Sequence, residues 1–221
     1  MDGEATRTPV LNELYQQYLV DQDTAAFVHR TAGRYSTSTL ARLAEVGDRL
    51  VRRAAVLALG YLADYESNAV LGRTLTDSDR GVRMLAENAI RAVWSRSGST
   101  EQRQQLARIV MLNHSQQPIA ALREVTVLLR DAAWLAEAWN QRAIAHYNLN
   151  RYDESIRDCR QALEINAYHF GAAAGMGHCY LKLNDHAAAL EAFRRALNLY
   201  PDLEGIRAQV QFLERALKRN Q

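Results

Sequence analysis

The chain has 221 residues, 48% of them apolar and 24% charged, with three prolines and eleven glycines, the composition of a folded chain with room for long helices. Its net charge of +2 is too small to steer it onto nucleic acid or an anionic membrane. Two cysteines without a CxxC pair exclude a disulfide framework and a zinc ribbon, and no apolar run approaches the roughly 20 residues that span a bilayer.

The opening MDGEATRTPV is polar and acidic, without the basic start and apolar core of a secretory signal, so a reducing, cytoplasmic setting is expected. Residues 1–28 carry five acidic groups and one basic group, whereas residues 29–108 hold thirteen arginines against eight acids. The bias is mild and no nucleic-acid partner is expected. Residues 9–33 contain two amphipathic segments, predicted to cap the N-terminal end of whatever follows.

From residue 36 to 96 the sequence repeats with a period of 31. Asp48-Arg49-Leu50-Val51-Arg52 is echoed by Asp79-Arg80-Gly81-Val82-Arg83, Ala55 by Ala86, Ala58 by Ala89 and Leu59 by Ile90, with Leu40 and Leu71 opening comparable apolar faces upstream. This resembles the short HEAT-like repeat with its D-x-x-V-R start to the second helix. Asp48/Arg52 and Asp79/Arg83 have two possible roles, an anion or phosphopeptide site and a ladder of bonds between adjacent repeats. Repeat stacking favours the ladder. Arg49, Arg53 and Arg80 would lie beside it on a solvated face.

Ser95-Arg96-Ser97-Gly98-Ser99-Thr100 is the most linker-like stretch, and Ser99 or Thr100 can cap the helix after it. Beyond it, residues 102–135 match the following segment weakly at a shift of 34: Ala121, Val125 and Leu128 fall where Ser155, Cys159 and Ala162 sit, and Pro118 opens a helix. A degenerate connecting repeat is expected there.

The last third lies on itself when shifted by 34 residues. Trp139 meets Ala173, Ala143 meets Gly177, His146 meets Tyr180, Ser155 meets Ala189, Cys159 meets Phe193, Ala162 meets Ala196 and Leu163 meets Leu197. Small residues recur where two helices cross closely and large ones where a gap is filled. Asn150 and Asn184 tolerate the left-handed conformation that ends a helix, and Pro201 closes the second unit. Residues 136–169 and 170–203 resemble tetratricopeptide repeats, and residues 204–219 form an amphipathic helix like the one that caps such arrays. The expected fold is thus all-α, a right-handed α-solenoid of antiparallel helix pairs. It divides into 1–98 (cap and HEAT-like repeats), 99–135 (connecting repeat), 136–203 (two tetratricopeptide repeats) and 204–221 (capping helix).

The resemblance implies that the first helix of each pair lines a concave groove. Asn140, Ile144 and Tyr147 are its expected inward residues in one repeat, and Gly171, Ala174, Gly175, His178 and Leu181 in the next. Glycine in a helix costs roughly 1 kcal/mol relative to alanine. Close packing accounts for Gly177, while Gly171 and Gly175 are equally open to packing and to a cleft for a partner's side chain. The stretch Trp139–Ala145 with Asp158–Leu163 looks like chaperone-adaptor repeats that clamp a C-terminal carboxylate. Here, however, Gln141 and Ile144 stand where the clamp has asparagines and Asn140 where it has lysine. Tyr168–Gly177 is closer to a set of bacterial tetratricopeptide proteins with an H-F-G-A…G-x-G signature and HEAT-like repeats ahead, a resemblance that sharpens the fold alone.

His146, His169, His178 and His186 lie near Cys179, but adjacent helical residues point about 100° apart, so no metal site is expected. Cys159 and Cys179 fall at packing positions and have no activating base by spacing, so no catalytic residue and no cofactor is expected. A non-enzymatic scaffold that binds a protein or peptide, without a membrane partner, is the leading expectation. The alternatives are a pigment-processing lyase or isomerase of the HEAT-like type, and a chaperone adaptor.

Overall fold

A computed structural model describes residues 10–219, and among them all regular structure is helical. The chain divides into two compact units, Met1–Val93 and Trp94–Gln221.

The first unit contains α1 (Val10–Asp21), α2 (Thr24–Ala32), α3 (Thr37–Val46), α4 (Arg49–Leu62), a short 3-10 turn (Tyr65–Ser67), α5 (Asn68–Thr74) and most of α6 (Arg80–Arg96). Side-chain caps set several starts: Asp23 accepts from the Ala26 amide, Ser36 from Thr39, and Asp48 from both Leu50 and Val51. The starts of α3 and α5, and of α4 and α6, are each 31 residues apart (37 and 68, 49 and 80), as the sequence period predicts. Leu40, Ala55, Ala58, Leu59, Leu71, Ala86, Ala89 and Ile90 are all buried. Gly60 sits directly against Ala89, so a side chain there would push α4 off α6.

Ionic bonds do link the two copies of the motif, with different partners from those its spacing suggests. Arg52 grips Asp77 with two bonds of 2.8 and 2.9 Å, and Arg53 grips Asp79 with two of 2.7 and 2.8 Å. Asp48 is occupied instead in capping α4, and Asp79 also accepts from the Val82 amide at the start of α6. The hydrogen bonds from Arg53 come first among the causes that hold the Asp79 carboxyl down at about 2, against the opposing effect of burial.

The second unit continues from Trp94 with α7 (Thr100–His114), α8 (Pro118–Asp131), α9 (Ala136–Asn148), α10 (Tyr152–Ile165), α11 (Phe170–Lys182), α12 (His186–Leu199) and α13 (Glu204–Arg219). Ser99 and Gln102 form a reciprocal capping box at α7, and Pro118 opens α8. The first helices end at 114, 148 and 182 and the second helices begin at 118, 152 and 186, a spacing of 34 throughout. At each turn one residue adopts the left-handed conformation: Gln116 (φ 54), Asn150 (φ 59) and Asn184 (φ 60). The unit is an α-solenoid of helix pairs. Neighbouring helices pack in chain order, and α9 additionally touches α7 and α11, so the first helices share a face.

Its core has two parts. Leu106, Ile109, Ala121, Val125, Leu128 and Ala145 lie in one; Ala143, Cys159, Ala162, Phe193, Ala196, Val210 and Leu213 lie in the other, and Trp139 packs against both. Gly177 lies under the Phe193 ring, where a side chain would collide with it. Close crossing within that pair therefore requires glycine.

Candidate functional site

The face shared by the first helices is organised around Glu137. This residue sits in the first turn of α9, where a carboxylate suits the helix dipole. Its Oε1 accepts from Asn140 (3.2 Å) and Gln141 (2.7 Å), and Oε2 lies 3.0 Å from His169 Nε2. The Ala172 amide donates to His169 Nδ1 at 3.1 Å, so His169 caps α11. With Nδ1 accepting, the ring proton is on Nε2 and points at Glu137. Trp94 stacks on the imidazole with centroids 4.4 Å apart and planes 10° from parallel. Burial pushes the Glu137 carboxyl up, but the bonds from His169, Gln141 and Asn140 outweigh it and hold the group below the ordinary carboxylate range.

The network extends to α7. Asn113 donates through Nδ2 to the backbone oxygen of Gln141 (3.0 Å) and to its side-chain Oε1 (2.9 Å). Both bonds fix the orientation of the Asn113 amide, and its buried Oδ1 has no donor among the described residues.

Around this network the expected groove residues divide. Asn140 belongs to it, and Gly171 lies beside the His169 ring at an ordinary contact distance of 3.6 Å from an added Cβ. Ile144 is 37% exposed, two turns along the same face of α9. Tyr147 meets Tyr152 edge to face at 5.6 Å, and the Tyr152 hydroxyl donates to Asn150. Ala174 and Leu181 are partly buried against the second core cluster. Gly175 faces Cys159 on α10, where an added Cβ would come within 3.3 Å of the sulfur. His178 turns an edge-on ring toward Phe193 of α12 at 5.0 Å, and burial pushes its pKa down. Glu137, His169, Asn113 and Trp94 were not among the expected groove residues. The legible signal was an acid followed by amides three and four residues later, a spacing that puts all three on one side of a helix.

Both cysteines are buried, and burial is the leading cause that pushes both thiols up. Cys179 donates to Ser155 Oγ (3.2 Å), and that hydroxyl donates to the Ala143 carbonyl (2.8 Å). Such thiols resist ionisation and are poor nucleophiles. Among the described residues no group of three or more His, Cys, Asp or Glu side chains is placed to hold a metal. No described helix is long and apolar enough to cross a membrane. Arg52, Arg53, Arg73, Arg91 and Arg108, five of the thirteen arginines of residues 29–108, are each held by a carboxylate.

Residues 136–169 and 172–203 match the tetratricopeptide repeat model, so the chain carries two such repeats. A TPR repeat-containing protein of Rhizobium etli is 29% identical over 136 residues, covering 60% of this chain and 65% of that protein. The protein SGT1 homolog of Bos taurus is 34% identical over 84 residues, covering 38% of this chain and 25% of its own length. The chain thus spans just under two thirds of the first relative and a quarter of the second. Among solved structures, the first tetratricopeptide domain of Spaghetti, bound to an HSP90 peptide, superposes with a TM-score of 0.52 at 17% identity. It covers 55% of this chain and 96% of its own. At that identity the likeness establishes the fold.

Proposed function

We propose that the second unit is a non-enzymatic interaction module, an adaptor that holds a protein segment, as peptide or helix, on the face lined by α7, α9 and α11. The carrying observation is Ile144, an aliphatic side chain 37% exposed and the one residue of α9 that is exposed rather than buried or half-buried. Tyr147 and Leu181 extend the contact surface, with Asn140, Gly171 and Ala174 between them. Gly175 and His178 support it from the side of α10 and α12. The 31-residue helix pairs of the first unit form a HEAT-like array with a structural ladder of ion pairs. No cofactor is part of this reading: burial raises both thiols, and His169 is committed to Glu137 and to the Ala172 amide.

A carboxylate clamp of the chaperone-adaptor kind is disfavoured. Asn140 and Gln141 both donate to Glu137, so the amides that stand at the clamp positions already serve a carboxylate of this chain. The test is affinity purification with wild-type, Ile144→Asp and Tyr147→Ala baits. Recovery of the partner should fall by about tenfold, equivalent to about 1.4 kcal/mol, while circular dichroism stays unchanged. Equal recovery with both variants would refute the groove assignment.

A further inference from the structure

Among the described residues the one ion-pair-range partner of the Glu137 carboxylate is the His169 imidazole. The carboxylate has three donors, two amides and that imidazole, whose Nδ1 is already occupied as an acceptor. No described lysine or arginine lies within ion-pair distance of it. The side chain is only 16% exposed, and a carboxylate so far removed from water is costly to leave unneutralised. It is not saturated, however. An ionised carboxylate offers about four acceptor positions, of which three are filled, so one remains for a further donor. The neighbouring network has a second shortage of the same kind, since Asn113 Oδ1 is buried without a donor. The site thus holds no lysine or arginine among the described residues, and it keeps one acceptor position on Glu137 and the Asn113 Oδ1 without donors.

We propose that this site receives a lysine or arginine side chain of the partner, which ion-pairs with Glu137 while an apolar neighbour in the same segment packs on Ile144. The two residues are seven positions apart on one helix, two turns or about 10 Å, a span that a basic and an apolar residue separated by two or three positions of extended chain can cover. The inference rests on the first-helix face being the binding surface, and it adds the charge of the occupant. It also orders specificity: an acidic segment with a free C-terminal carboxylate is repelled, because it meets a fixed anion with no described lysine or arginine beside it.

The experiment is to pan a phage-displayed random peptide library on the full chain and to measure selected peptides by fluorescence anisotropy. Enriched sequences should share a lysine or arginine two or three positions from an apolar residue. Replacing that lysine or arginine with norleucine should weaken binding to the wild-type chain by about tenfold or more. The acidic peptide SRMEEVD should bind no better than the norleucine peptide. On Glu137→Gln the basic and norleucine peptides should bind alike. Because that variant is able to disturb the network, the norleucine arm on the wild-type chain stands independently of it. Enrichment without a basic preference, or a Glu137→Gln chain that still prefers the basic peptide, overturns the charge assignment and leaves the binding face in place. A library that yields no enriched peptide overturns both.

Discussion

Gly171, Gly175 and Gly177 lie within two turns of α11, and each meets a different neighbour. At Gly177 an added methyl group would enter the Phe193 ring, at Gly175 it would press on the Cys159 sulfur at 3.3 Å, and at Gly171 it would rest at 3.6 Å from an imidazole. Gly177→Ala should therefore lower stability by about 1–3 kcal/mol through overpacking. Gly171→Ala should raise it by about 1 kcal/mol, since the helix gains propensity without a clash. Thermal unfolding of the two variants checks the pair, and a stabilised Gly177→Ala would contradict the packing described. If Gly171→Ala stabilises the fold yet weakens partner recovery, the glycine is there for the partner's approach. The sequence showed that these glycines needed an explanation but could not separate them, because the deciding atoms belong to other helices. The same limit hid the Glu137 network. His169 is 32 residues from Glu137 and Asn113 is 28 residues from Gln141, and only the stacking of repeats brings them together.

The element that best explains what periodicity reveals is the turn inside each helix pair. Asn150 and Asn184 were legible as helix stops because asparagine pays little for the left-handed region. Gln116 occupies the equivalent position 34 residues earlier with φ 54, and its side chain gives no such signal. The α7–α8 pair consequently reads as the faintest copy in sequence, although its helix ends keep the same spacing as the others. A residue in that conformation without asparagine's local bonding carries a strain of roughly 1–2 kcal/mol. Gln116→Gly should recover about 1 kcal/mol of it, and Asn150→Gln should impose a similar penalty. The midpoints of urea unfolding should move in opposite directions for the two variants. A lower midpoint for Gln116→Gly would mean that the glutamine side chain stabilises the turn in another way. In the first unit, the ladder was legible as a need for bonds between copies, but its partners were not. Asp77 lies outside the repeated D-x-x-V-R motif, and nothing in the spacing marks it as the acceptor for Arg52.

At the scale of the molecule, an array whose elements pack mainly on their neighbours should lose stability locally when one end is removed. The second unit permits a test, because its core is divided. Ile206, Val210 and Leu213 of α13 belong to the cluster that holds Leu190, Phe193 and Ala196 of α12, and none of them belongs to the cluster built on Leu106, Ile109 and Val125. A chain ending at Leu203 gives up the burial of those three side chains, at about 1.5–3 kcal/mol each, and bares the apolar face of α12. Hydrogen exchange should then rise steeply in α12, less in α11, and little in α7 and α8, with Trp139 as the one large side chain through which the loss reaches the other cluster. Uniform loss of protection from α7 to α12 would show that the unit behaves as a single cooperative block. A graded loss has a consequence for binding. Glu137, Gln141 and Asn113 lie on α9 and α7, and His169, which also belongs to the network, caps the start of α11, one helix removed from the bared face. A selected basic peptide should therefore still bind the shortened chain at a temperature where α12 has begun to fray but α11 still holds.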